Sequence, residues 1–213
     1  MHGLVSRRVD HGLLALLPLC LLWPTLRHLI ESRMVLHMLV EFPVLFAAGW
    51  SSRRMLANSS ACERIRLAGA ALDWGGLTGA VLVSCVALFW MIPAALDASL
   101  LAPKMAAVKY ASWLAAGFMM AGSWRRMAPE LVLFFAGNLA WMSATAGLLY
   151  TDTSQRLCAN YLVDEQHTTG VGLIVLALLL GAVALRQMMR LGGTPAAQAV
   201  KRPAEAKPPV ATR

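Results

Sequence analysis

Residues 34 to 43, Met-Val-Leu-His-Met-Leu-Val-Glu-Phe-Pro, put a thioether, an imidazole, a second thioether and a carboxylate into a run that otherwise reads as membrane-spanning. At 3.6 residues per turn, Met34, His37, Met38 and Glu41 share one helix face. An ionisable group at the centre of a membrane helix costs about 2.5 to 3.5 kcal/mol on insertion scales, so a His and a Glu one turn apart are a functional hypothesis by default. The chemistry open to this face is cation binding or proton carriage. Soft Met sulfur favours Cu(I), and imidazole accepts either oxidation state of copper. Zinc would more usually recruit Cys or a tighter set of His and carboxylate. Haem would want axial His residues on facing spans, for which His37 and His167 are the available pair. A plainer reading stands beside these: His37 and Glu41 fasten helices as a hydrogen-bonded pair, and the methionines fill the core.

Further donors flank this face in the sequence. His28 and Glu31 precede it, and Asp164, Glu165 and His167 precede the last apolar run. The candidate metal ligands are therefore His37, Met34, Met38, His28, Asp164 and His167. Glu41, Glu31 and Glu165 are candidates for supporting or proton-carrying roles. Asp164 and Glu165 also suit the capping of a helix N-terminus, where carboxylates are favoured.

The elements that must position these residues follow from composition. The 213 residues are 58% hydrophobic and 14% charged, with a mean hydropathy of +0.60, which is the profile of an integral membrane protein embedded in a lipid bilayer. The expected fold is all-α, a polytopic transmembrane bundle over residues 1–191 with spans near 13–30, 34–50, 74–96, 105–124, 129–150 and 169–189. Residues 192–213, rich in Ala, Pro and Lys, should form a disordered cytoplasmic tail. Pro43 falls inside the second span and can kink it. Asn138 and Ser143 in the fifth are expected to hydrogen-bond between helices.

Charge gives the orientation. Lys and Arg concentrate in cytoplasmic segments, and with the N-terminus inside, the inner segments hold fourteen of them against five Asp and Glu, whereas the outer segments hold five against five. This predicts an N-in, C-in arrangement that gathers His28, Glu31, Met34, His37, Met38, Asp164, Glu165 and His167 on the outer side. The net charge of +8 is thus topological, and no extended basic and aromatic face suggests nucleic acid. Cys20, Cys62, Cys85 and Cys158 lie in four separate segments with no metal-binding spacing. No nucleophile and base arrangement or phosphate-cradling loop appears, so nothing points to an enzyme.

Met34-Val-Leu-His37-Met38-Leu followed by Pro43-Val-Leu-Phe-Ala-Ala-Gly49 resembles the signature region of the CtaG-like cytochrome c oxidase assembly factors, with Arg33 where members often carry a further His. Leu162-Val-Asp164-Glu165-Gln166-His167-Thr-Thr-Gly170 resembles the segment that opens a late helix in the same family. The resemblance implies a bacterial inner-membrane protein that holds or passes copper on the periplasmic face, a chaperone in oxidase assembly whose partner is an oxidase subunit or another copper client. It carries a site role to His37, Met34, Met38 and Asp164, and adds Gln166.

Overall fold

A computed structural model describes residues 23–56 and 73–192. The described residues form seven helices: α1 (Pro24–Glu31), α2 (Met34–Met55), α3 (Leu77–Trp90), α4 (Pro93–Leu101), α5 (Pro103–Ser123), α6 (Pro129–Asp152) and α7 (Val163–Gly192). Proline at the first position starts α1, α4, α5 and α6. Its missing N–H is one the first turn would leave unpaired anyway, and its fixed φ suits helix entry. Residues 1–22 and the tail beyond 192 lie outside the described residues, so the first expected span is represented by α1 alone.

Among the described residues three helices, α2, α6 and α7, are long and apolar enough to cross a membrane; α3 and α4 qualify only as a pair, bent by 78°. That bend corrects the continuous span expected over 74–96. Trp90 ends α3, Ile92 is extended (φ −76°, ψ 121°), and Pro93 opens α4. Proline has no N–H for the ladder and disfavours helical geometry in the residue before it, so the helix must stop and restart. The other end of that span also shifts, because Gly75 and Gly76 have φ of +61° and +86° and α3 begins only at Leu77. The helix α5 has the length of a span, 21 residues, but is not as apolar as the other three.

Inside α2, His37–Glu41 is wound as a π turn. Pro43 follows one residue beyond it and cannot donate to the Leu39 carbonyl inside the turn, so the regular ladder is interrupted there in any case.

The helices pack as two units. One is α5 laid against α2 and α3; the other is α6 laid along α7. Glycine permits the closest approaches in both. A Cβ at Gly117 would run into the Phe46 carbonyl and one at Gly49 into the Leu114 carbonyl, while Gly147 and Gly170 face each other's carbonyl oxygens. Small residues at such crossings are how helices gain van der Waals contact in lipid, where no hydrophobic force drives them together. Large apolar side chains such as Trp141, Phe134, Leu178 and Leu179 are left on the outside, as expected of faces turned to lipid.

The core is richest at the end of the bundle where α2 begins, here called the site end. Met34, Met38, Phe42, Trp90, Leu96, Tyr150, Tyr161 and Leu173 are buried there together. Asn138 does not bridge helices: it is exposed, and its Nδ2 contacts Met142 Sδ on the same helix at 3.3 Å. An exposed amide in a lipid-facing stretch satisfies itself within its own helix. Ser143 is fully buried, and its Oγ has no hydrogen-bond partner among the described residues.

Candidate charge and metal-binding site

The π turn brings His37 and Glu41 inward, both essentially without solvent exposure, with Nε2 and Oε2 3.5 Å apart. Glu31, from the last turn of α1, completes a triangle in which one ligand atom each from Glu31, His37 and Glu41 lie within 4.8 Å of one another. At its centre stands the ammonium of Lys109, projected from α5 and fully buried. Lys109 Nζ is 2.7 Å from Glu31 Oε1, 2.8 Å from Glu41 Oε1 and 3.0 Å from His37 Nε2. Its hydrogen bonds run to Glu31 and His37, while Glu41 faces it as an ion pair whose two buried oxygens have no hydrogen-bond partner among the described residues. Arg27 Nε binds the far side of Glu31 at 2.9 and 3.0 Å, extending the charges toward solvent.

The His37 tautomer follows from proton counting. The Tyr161 hydroxyl donates its single proton to the Glu31 carbonyl at 2.9 Å. It can therefore only accept from His37 Nδ1, 2.7 Å away, so Nδ1 carries the hydrogen and the Nε2 lone pair faces Lys109. A group that holds one ring nitrogen and aims the other is the usual device for orienting a ligating histidine. Burial, with the Glu31 charge second, pushes the Tyr161 hydroxyl well above the ordinary phenol range, which keeps its proton in place.

Tyr161 comes from the segment between α6 and α7, and two residues anchor that segment. Asp97 on α4 accepts from the Ala159 N–H at 2.7 Å and from Asn160 Nδ2 at 2.9 Å. Gln166 accepts from the Leu157 N–H at 2.9 Å and points its Nε2 at the carbonyls of Tyr150, Thr153 and Gln155, at 3.4 to 3.5 Å. The role the structure gives Gln166 is to shape this connection. Glu165 Oε2 accepts the Met34 N–H at 3.2 Å, joining the start of α7 to the start of α2. The second and last of the expected spans are therefore neighbours.

The sequence-predicted residues divide accordingly. His37, Glu31 and Glu41 meet in one cluster, and Glu165 supports it from α7. Met34 and Met38 are buried in the adjoining apolar core. His28, Asp164 and His167 are exposed and lie outside the cluster. On α7 the reason is rotational: Gln166, Thr169, Gly170 and Leu173 form the buried stripe, and a helix that turns these inward carries positions 164 and 167 on other faces.

Lys109 is absent from the candidates that residue type and spacing supply, and in the charge count it is one of the five outer cations. Its signal was present, since an ionisable residue inside an apolar helix is itself a candidate functional group. With Arg27 and Lys109 against Glu31 and Glu41, the formal charges of the cluster cancel.

As a metal centre, the triangle offers two carboxylates and one imidazole, a hard to intermediate set that suits zinc or Cu(II) better than Cu(I). A metal ion seated there must displace the Lys109 ammonium, because both would use the same three atoms. Cu(I) would also need thioether sulfur, for which Met34 and Met38 are the available residues.

The chain matches no protein-family model, no curated protein sequence and no solved structure.

Proposed function

We propose that this chain is a multi-pass protein of a bacterial inner membrane, with six spans and both termini inside, that holds or passes a transition-metal ion at its outer end. The observation that carries this reading is the convergence of Glu31, His37 and Glu41 on a single cation position, now filled by Lys109. A protein group that mimics the cation keeps the buried Glu41 and the part-buried Glu31 from facing each other uncompensated, and withdraws when the ion arrives. The resemblance in Met34 to Gly49 and Leu162 to Gly170 supports copper as the ion and oxidase assembly as the setting, with an oxidase subunit or another copper client as recipient. His37, Glu31 and Glu41 supply the first ligands, and Met34 and Met38, buried in the adjoining core, are the thioethers that would complete a softer set.

A second reading, a structural or accessory membrane subunit without a metal, is favoured by one observation: the cluster is already neutral, with Lys109 paired to both carboxylates. A transporter is less well supported, because the polar chain from Arg27 ends at Glu41 and Asn138 faces outward.

The deciding experiment measures metal content by elemental mass spectrometry, together with thermal stability, for wild type, His37→Ala and Lys109→Met in mild detergent with and without added copper. In the metal-holding reading, wild type retains near-stoichiometric copper, His37→Ala loses it, and copper restores stability to Lys109→Met by replacing the missing charge. No bound copper in any form, with Lys109→Met unstable whether or not copper is added, would establish the structural reading.

A further inference from the structure

The seam between the two packed units holds a feature that the charged cluster does not use. A cavity of about 260 Å³ lies there, walled by Met38, Phe42, Val83, Trp113, Ser143 and Leu173 among others. A second cavity of about 260 Å³ shares Phe46, Val83, Leu139 and Leu180 with the first and runs on toward Trp124 and Met127. The two make one elongated apolar crevice between the unit of α2, α3 and α5 and the α6–α7 pair.

The first cavity has two polar atoms out of place. Ser143 Oγ and Trp113 Nε1 are both buried without a hydrogen-bond partner among the described residues, and both residues line it. A mid-helix serine ordinarily returns its hydroxyl to the i−4 carbonyl, and a buried indole N–H ordinarily finds an acceptor. Leaving either donor unpaired in an apolar interior is unfavourable. Both atoms can donate, and no charged side chain lines either cavity.

Depth narrows the occupant. Ser143 is nine residues from the end of α6 at Asp152, and Trp113 ten from the start of α5 at Pro103. At 1.5 Å per residue both are about 14 to 15 Å from the site end, near the middle of a hydrocarbon layer roughly 30 Å thick. The ester groups of glycerolipids stay near the interface, and a fatty-acid carboxylate at that depth would lack a counter-charge. A neutral ring bearing carbonyl oxygens, with a long apolar tail, meets every condition: acceptors for Trp113 and Ser143, and a tail for the second cavity.

We infer that the seam binds a membrane quinone, its carbonyl oxygens accepting from Trp113 Nε1–H and Ser143 Oγ–H and its isoprenoid tail lying along Leu139 and Leu180. The inference is independent of metal binding at Lys109.

The test is a titration of the full-length protein in mild detergent with a decyl-substituted benzoquinone, read as quenching of tryptophan fluorescence and, independently, as a rise in melting temperature. A decylbenzene without carbonyls serves as the apolar control. Wild type should bind the quinone saturably and at least tenfold more tightly than decylbenzene, and Ser143→Ala and Trp113→Phe should each weaken it about tenfold while leaving the helical circular dichroism intact. Should Trp113→Phe fail to fold, Ser143→Ala alone decides. Equal affinity for quinone and decylbenzene, affinity unchanged in Ser143→Ala, or no saturable binding by folded wild type would each overturn the inference.

Discussion

Lys109 Nζ and Glu41 Oε1 meet at 2.8 Å across the α2–α5 interface, with 0% and 1% of the two side chains exposed. A buried ion pair contributes little net stability when formed, because desolvation offsets attraction, but removing one partner leaves an uncompensated charge and costs about 3–5 kcal/mol. Lys109→Met should therefore lower the stability of the detergent-purified protein by that order. The double variant Lys109→Met/Glu41→Gln should recover much of the loss. Strictly additive losses in thermal or denaturant unfolding would show that the two residues are not coupled.

Tyr161→Phe removes the hydroxyl that accepts from His37 Nδ1 and donates to the Glu31 carbonyl. Two buried groups are left without their partner, at on the order of 1–3 kcal/mol. The imidazole is also freed to turn. The nitrogen-15 spectrum of labelled histidine should show a single Nδ1–H tautomer at His37 in the wild type and a mixture in the variant. A mixture already present in wild type would refute the assigned tautomer.

Glu165 ties α7 to the first N–H of α2 at 3.2 Å. Loss of an N-terminal cap costs about 0.5–2 kcal/mol. In Glu165→Ala the amide of Met34 should exchange with deuterium faster than in wild type, while amides in the middle of α6 keep their rates. Unchanged exchange at Met34 would show that the contact does not hold the helix start.

Gly117 and Gly137 provide a matched pair. A methyl group at Gly117 would strike the backbone at Phe46, whereas a methyl at Gly137 meets nothing within 4 Å. Gly117→Ala should destabilise by about 1–3 kcal/mol through overpacking. Gly137→Ala should be neutral or stabilising by up to about 1 kcal/mol, from helix propensity. Thermal unfolding of the two variants gives the comparison, and equal melting temperatures would contradict the close α2–α5 crossing.

Cys158 lies buried beneath the same end, its thiol pushed up to about 12 by burial first and the Asp97 charge second. The unfolded thiol ionises near 9, so between roughly pH 9 and 12 the folded state holds a proton that the unfolded state releases. The contribution of this group to stability is complete below that window and is lost as pH rises through it. Maleimide applied at pH 8 should leave Cys158 unmodified in native protein and modify it after denaturation, as read by peptide mass mapping.

Much of this protein is legible in one dimension. Apolar runs of membrane-spanning length, the single helix face shared by His37 and Glu41, and the helix starts at Pro103 and Pro129 need only local periodicity and hydropathy. Where the sequence reading went astray, the deciding information was not local. Pro93 divides a continuous apolar run because proline's backbone outweighs hydropathy at that point. Lys109 sits among apolar residues, and whether such a lysine lies in a loop or neutralises carboxylates on another helix depends on which helices touch. Asp164 and His167 flank Glu165 and Gln166 in the sequence yet lie outside the cluster in space, since the rotation of α7 is set by Gly170 and Leu173 packing inward. Residue types and spacing thus determined the helices and one polar face, through forces that act within a turn or two of chain. The partner of that face was decided by tertiary packing alone, because a buried charge is compensated by whichever opposite charge the fold brings within about 3 Å, whatever its distance along the chain.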